Sequence, residues 1–162
     1  MKTIDFLGCE WDIECMGCAI GDGSMLVPDD FIQKTKHFFV HQDPLIPLPG
    51  FLVIASRRHY QSIADMQEAE YNEFSALVRD ARSAIKKAIE VEYITIVQEE
   101  SSIHFHLWFF PWSQSLIEKY GKPSLSKIRE IMSDFRKQPI GEVEWKELAE
   151  SIAKIRLYWH ED

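Results

Sequence analysis

No apolar run in this chain of 162 residues reaches the roughly 18–20 residues that span a bilayer, so no membrane segment is expected. Positive charge is also scarce: 18 Lys and Arg stand against 26 Asp and Glu, a formal net charge of −8. A broad interface with a nucleic-acid backbone needs clustered Lys and Arg, so that class of partner is set aside. A small anionic ligand in a local pocket is not. Cysteine is confined to Cys9, Cys15 and Cys18. The odd count follows an N-terminus without the basic start, apolar centre and small-residue cleavage site of a secretion signal. That suits a reducing, cytoplasmic setting better than a disulfide framework. Neither an internal repeat nor a low-complexity tract divides the chain.

The 46% hydrophobic and 12% aromatic fractions are ample for a packed core, and the length suits one domain. Residues 1–30 read as irregular, with Gly17, Gly21 and Gly23 around the cysteine pair. Residues 36–41 and 51–56 read as strands. Between them Pro44, Pro47 and Pro49 forbid helix and make a stiff extended connection. Asp65 with Glu68 has the form of a capping box. The apolar positions Phe74, Leu77, Val78, Ala81, Ile85, Ala88 and Ile89 then recur at helical spacing, which predicts a helix over about 65–90. Residues 92–98 are β-branched and aromatic, a strand, followed by a turn at 99–102 and a second strand over 103–110 that Pro111 ends. Beyond Trp112 two helical stripes appear, Leu125, Ile128, Ile131, Met132 and Phe135, then Leu148, Ile152, Ile155 and Trp159, punctuated by Pro123 and Gly141.

Two features carry chemistry. His104-Phe105-His106-Leu107-Trp108-Phe109-Phe110 alternates histidine with apolar residues inside a β-type run. Residues i and i+2 of a strand share a face, so His104, His106 and Trp108 are expected to project together, with Phe105, Leu107 and Phe109 toward the core. Cys15-x-x-Cys18 is the second feature. Alone it fits half a metal site, a redox pair or coincidence. The glycines after it would let backbone wrap an ion closely.

Together with Pro49-Gly50-Phe51-Leu52-Val53-Ile54-x-x-Arg57-Arg58-His59 and Ser101-Ser102-Ile103-His104-Phe105-His106, the cysteine pair resembles the histidine triad superfamily of nucleotide hydrolases and transferases. That superfamily also takes in galactose-1-phosphate uridylyltransferase. The resemblance covers about residues 14–112. It implies an α+β fold: an antiparallel sheet of about five strands with a long packed helix. Residues 1–112 would form this domain with an N-terminal zinc knuckle, and 113–162 a C-terminal helical extension packed on it. Homodimers are common in the family, and the implied partner is a nucleotide or a phosphorylated metabolite.

The resemblance also implies roles. His106 would be the nucleophile toward an α-phosphate, giving a covalent nucleotidyl-histidine intermediate. A neutral imidazole suits this near pH 7 and leaves well once phosphorylated. Backbone amides of 105–108, with the Ser101 or Ser102 hydroxyl, would stabilise the phosphoryl oxygens. Some members bind structural zinc through the residues that correspond here to Cys15, Cys18, His59 and His104, a Cys2His2 shell. His37 and His41 are the competing ligands. Four protein ligands close the shell, which argues against water activated on the metal. The alternative to catalysis is a binding module that keeps the fold and the zinc.

The chain departs from the family pattern at several points. Trp108 stands in place of the third histidine. Gln98-Glu99-Glu100-Ser101-Ser102 replaces a glycine-rich segment, with Gln98 roughly where an Asn contacts the phosphate side. Glu99 and Glu100 either face solvent or engage a hydroxyl, a base edge or a second metal. His41 falls where the family carries the acid for ribose hydroxyls, with Asp43 two residues on, and Phe51 replaces a histidine. His41, Gln98 and Trp108 are thus the expected substrate contacts. Lys36, Arg57 and Arg58 are the nearest candidates for an anionic group.

Overall fold

The computed structural model describes residues 1–136 and 139–159. Strands β1 (Lys2–Ile4) and β2 (Glu10–Asp12) form a separate hairpin, followed by helix α1 (Met16–Asp22). Then come β3 (Gln33–Lys34), β4 (Phe38–Gln42), β5 (Leu52–Ser56), helix α2 (Glu68–Ala88), β6 (Tyr93–Gln98) and β7 (His106–Trp112). Helices α3 (Gln114–Tyr120), α4 (Leu125–Phe135) and α5 (Glu142–Trp159) close the chain. The main sheet is antiparallel with order β3-β4-β5-β7-β6. This is the α+β architecture expected, with five strands and a long packed helix. No helix among the described residues is long and apolar enough to cross a membrane.

Every residue of β4 and β5 is buried, so these strands read as continuous apolar runs rather than alternating ones. One sheet face presents Val40, Leu52, Ile54, Leu107 and Phe109. Against it pack Phe74, Leu77, Ala81 and Ile85 of α2 and Leu148, Ile152 and Ile155 of α5. Truncating a fully buried aromatic such as Phe109 to alanine costs about 3–5 kcal/mol. The other face is covered in two patches. At one end Phe39, Val53 and Ala55 lie under Ile13, Ala19 and Ile20. At the other Phe51, Phe110 and Trp112 lie under Leu116, Ile128, Ile131 and Met132 of α3 and α4. The sheet face between the two patches is where the cavity described below opens.

Four local expectations need correction. The stretch before residue 30 is not irregular: the Asp5 carboxylate accepts from the amides of Leu7 and Cys9 and from Trp11 Nε1, which fixes the β1–β2 turn. The cysteine pair lies not in a glycine-wrapped knuckle but on helix: Cys15 is the N-cap of α1, and Cys18 is in its first turn. Helix α2 starts at Glu68 with a Gln67/Glu70 capping box, while Asp65 closes a separate single 3-10 turn capped by Ser62. The histidine strand is displaced from 103–110: β7 starts at His106, so His104 precedes it, and it runs through Pro111 to Trp112. Pairing with β5 stops at Phe109 and Pro111 pairs only with Ile94 of β6. A strand with one neighbour tolerates the missing N–H.

Candidate functional site

Four side chains from three segments converge on one point. Cys15 Sγ lies 3.3 Å from His104 Nδ1 and 3.7 Å from His59 Nδ1. Cys18 Sγ lies 3.2 Å from His59 Nδ1 and 3.5 Å from His104 Nδ1. A tetrahedral zinc with S and N ligands at about 2.3 and 2.0–2.1 Å would space neighbouring S and N atoms about 3.6 Å apart. The set is compatible with zinc on this spacing and on its donor chemistry. The i, i+3 spacing on α1 puts both thiols on one helix face. His104 is oriented from behind: its Nε2–H donates to the Ser56 carbonyl at 2.7 Å, which leaves Nδ1 turned to the thiols. Helix α1 approaches so closely that a Cβ on Gly17 would lie 2.5 Å from the His104 ring. Burial and the adjacent Cys15 push the Cys18 thiol up to about 11. Binding a cation here would therefore release protons. The rival histidines lie elsewhere. His37 donates from Nδ1 to Glu73 at 2.9 Å, and His41 lies outside the cluster.

Next to the cluster is a cavity of about 430 Å³, whose wall includes His41, Asp43, Ser101, Ser102, His104, His106, Trp108 and Arg136. The sheet register explains the grouping. Ala55 is opposite His106, and Val53 is opposite both Trp108 and His41, so these side chains share one face. The His106 and Trp108 ring centroids are 5.4 Å apart. His106 Nδ1 is 3.0 Å from the His104 carbonyl and 3.2 Å from Ser102 Oγ. Nδ1 therefore carries a hydrogen, and in the neutral ring the lone pair is on Nε2. His41 is buried among Phe31 and Phe39, and desolvation lowers it to about 4. It is neutral near pH 7, with Nδ1–H donating to the Gln42 carbonyl at 2.7 Å and Nε2 as its acceptor. Asp43 reaches the cavity on the proline segment, its Oδ1 accepting from the amides of Leu45 and Ile46 at 2.8 Å.

Some expected contacts are not brought together. Gln98 is opposite Leu107, so it points to the α2 face and does not line the cavity. A one-residue difference in strand position reverses a side chain. Ser101 and Ser102 do line the cavity, and the Ser102 hydroxyl also donates to the His104 carbonyl at 2.6 Å. Of the amides of 105–108, Phe105 N–H donates to Tyr60 O, and Leu107 and Trp108 lie in the ladder between β5 and β6, whereas His106 pairs with β5 alone. Glu99 pairs with Arg129, and Glu100 accepts from Ser62 Oγ. Neither glutamate lines the cavity. Arg58 forks onto Glu70 with bonds of 3.0 and 2.8 Å, Arg57 donates to the Thr35 carbonyl, and neither they nor Lys36 line it. The basic residue in the cavity wall is Arg136, at the end of α4. No sequence motif marks it, because only the packing of the tail brings it there.

No sequence-family model and no curated protein matches the chain. Solved structures do. A Hit-like protein involved in cell-cycle regulation from Bartonella henselae superposes with a TM-score of 0.62 at 15% identity, covering 91% of this chain and 98% of that one. A hypothetical histidine triad nucleotide-binding protein from Sulfolobus tokodaii gives a TM-score of 0.63 at 15% identity, over 90% and 91%. A Zn-bound histidine triad family protein from Mycobacterium smegmatis gives 0.55 at 20%, over 86% and 94%. The chain therefore has the histidine triad fold.

Proposed function

We propose that the protein is a zinc-stabilised nucleotide hydrolase or nucleotidyl transferase that uses His106 as nucleophile. The observation that carries this is the tautomer of His106. Its Nδ1–H is held on the His104 carbonyl, so the basic Nε2 belongs to a residue in the cavity wall. In the first step Nε2 attacks the α-phosphorus of a phosphoanhydride, phosphoramidate or nucleotide sugar. A P–N bond forms, and the leaving group departs with the electrons of its own bond to phosphorus. In the second step water, or another acceptor, attacks phosphorus and the P–N electrons return to Nε2. Ser101 is the side-chain donor for the phosphoryl oxygens, His41 accepts from a ligand hydroxyl or N–H, and Trp108 offers its ring face to the ligand.

Cys15, Cys18, His59 and His104 would hold zinc in a closed shell, whose contribution is structural. It would tie α1 to the start of β7. The reading includes a reducing, cytoplasmic setting and a homodimer. A panel of dinucleoside polyphosphates, nucleoside phosphoramidates and nucleotide sugars tests the activity. Turnover of one of them that is lost in His106→Ala supports it; turnover unchanged in that variant overturns it. A second reading, a nucleotide- or phosphometabolite-binding module without turnover, is favoured by one observation. An indole stands at 108 and the Leu107 and Trp108 amides lie inside the sheet, so donors for developing charge are few. Tight binding with no product across the panel would select it.

A further inference from the structure

Arg136 is the one Lys or Arg among the described residues of the cavity wall, and the chain delivers it from the C-terminal helices. It is the C-cap of α4, with its backbone N–H on the Met132 carbonyl at 3.2 Å. The α4 helix is anchored by Ile128, Ile131 and Met132 in the cluster under β7, which sets where the arginine emerges. Its guanidinium has no hydrogen bond or ion pair with any described residue, unlike Arg58, Arg129 and Arg156. It lies beside Asp43, whose buried carboxyl senses both Arg136 and His106. No salt bridge joins the two side chains, and Asp43 Oδ1 accepts instead from the amides of Leu45 and Ile46. The cavity also continues past this side chain. An adjoining cleft of about 330 Å³ is lined by Thr3, Asp5, Phe6 and Phe135, and shares Leu45 and Arg136 with the cavity.

A guanidinium held in a cavity wall without a partner among the described residues is complementary to a phosphate, which it grips by two parallel N–H donors. Resting on the nucleotide reading above, we propose that Arg136 is a specificity-determining residue that binds a second phosphate of the ligand, beyond the phosphorus attacked at His106. The preferred ligands are then nucleotides carrying two phosphates rather than one. The second phosphate is either linked to the first, as in a 5′-diphosphate, or borne on the ribose, as in a 3′,5′-bisphosphate.

Isothermal titration of the zinc-loaded full chain with AMP, ADP and adenosine 3′,5′-bisphosphate tests this, in wild type, Arg136→Gln, Arg136→Lys and Arg129→Gln. The wild type is expected to bind at least one doubly phosphorylated ligand about tenfold or more tighter than AMP, as a charge-assisted bidentate contact implies. Whichever ligand gains identifies the source of the second phosphate. In Arg136→Gln the ratio should fall toward one. Arg136→Lys should keep part of it, and Arg129→Gln, paired with Glu99 away from the cavity, all of it. AMP binding with no preference in wild type, or a preference that survives Arg136→Gln, overturns the assignment and leaves the nucleotide reading intact. No binding of any of the three overturns both.

Discussion

The His104 carbonyl accepts from His106 Nδ1 at 3.0 Å, while the His104 ring turns its own Nδ1 to the two thiols. One residue thus belongs to both centres: its side chain to the cysteine cluster, its backbone to the cavity histidine. Ser102 braces the same carbonyl, donating from Oγ at 2.6 Å. Ser102→Ala removes that brace and leaves the His106 tautomer without its second partner. We expect turnover to fall about tenfold with little change in melting temperature, the loss of one positioning hydrogen bond. Steady-state kinetics with a thermal melt check it; a loss as deep as that of His106→Ala would make Ser102 a direct participant instead.

Metal content follows from the Cys2His2 geometry. Purified protein is expected to carry a single zinc per chain, and Cys15→Ser or His104→Gln to carry much less. Chelation should lower the melting temperature, because α1 and its preceding hairpin would lose their tie to the sheet. Elemental analysis and thermal melts decide it; a chelator-treated protein with unchanged stability would mean the cluster is not a metal site.

Gly17→Ala puts a methyl group where the His104 ring stands, 2.5 Å away and held by Ser56. Helix α1 or the imidazole must then move. The variant should lose zinc affinity at least about tenfold, since ligands positioned by outer partners lose about 10–100-fold when misplaced. Gly23→Ala, where a Cβ meets nothing, strains the left-handed C-cap of α1 and should lower the melting temperature without losing zinc. Competition with a chromophoric chelator measures both.

Acid stability depends on two buried groups that oppose each other. Asp43 is pushed up from 3.8 to about 6 by burial, so in the fold it binds a proton that the unfolded chain does not. It therefore adds stability as pH falls from about 6, and that gain disappears as pH rises through 6. Burial lowers His41 from 6.5 to about 4, so its contribution is complete above 6.5 and is lost as pH falls toward 4. Between pH 6 and 4 the two offset. Asp43→Asn keeps an oxygen for the Leu45 and Ile46 amides but removes the titration. Its melting temperature should drop more steeply than that of the wild type from pH 6.5 to 4; parallel profiles would contradict the assignment.

The elements that surface in the sequence are those with strong periodic or continuous apolar signals. Strands β4 and β5 and helix α2 are of this kind, and the resemblance carried by the three spaced motifs implies the grouping of Cys15, Cys18, His59 and His104 that the fold forms. What stayed hidden depends on register or on long-range packing. Gln98 faces away because β6 pairs Gln98 with Leu107, which no local pattern states. Helix α1 is seven residues long and contains two glycines, too weak a propensity to outweigh the look of a loop. Pro111 reads as a strand end until β5 is seen to stop short of it. Arg136 joins the cavity only because α4 packs beneath Phe110 and Trp112.

The most direct measurement is the intact mass of the protein after brief exposure to the same substrate panel, wild type beside His106→Ala. The account predicts an increment equal to one nucleotidyl group on the wild type alone, lost on mild acid treatment as a phosphorus–nitrogen bond would be. An increment that persists in His106→Ala, or product released without any increment on the wild type, would contradict it.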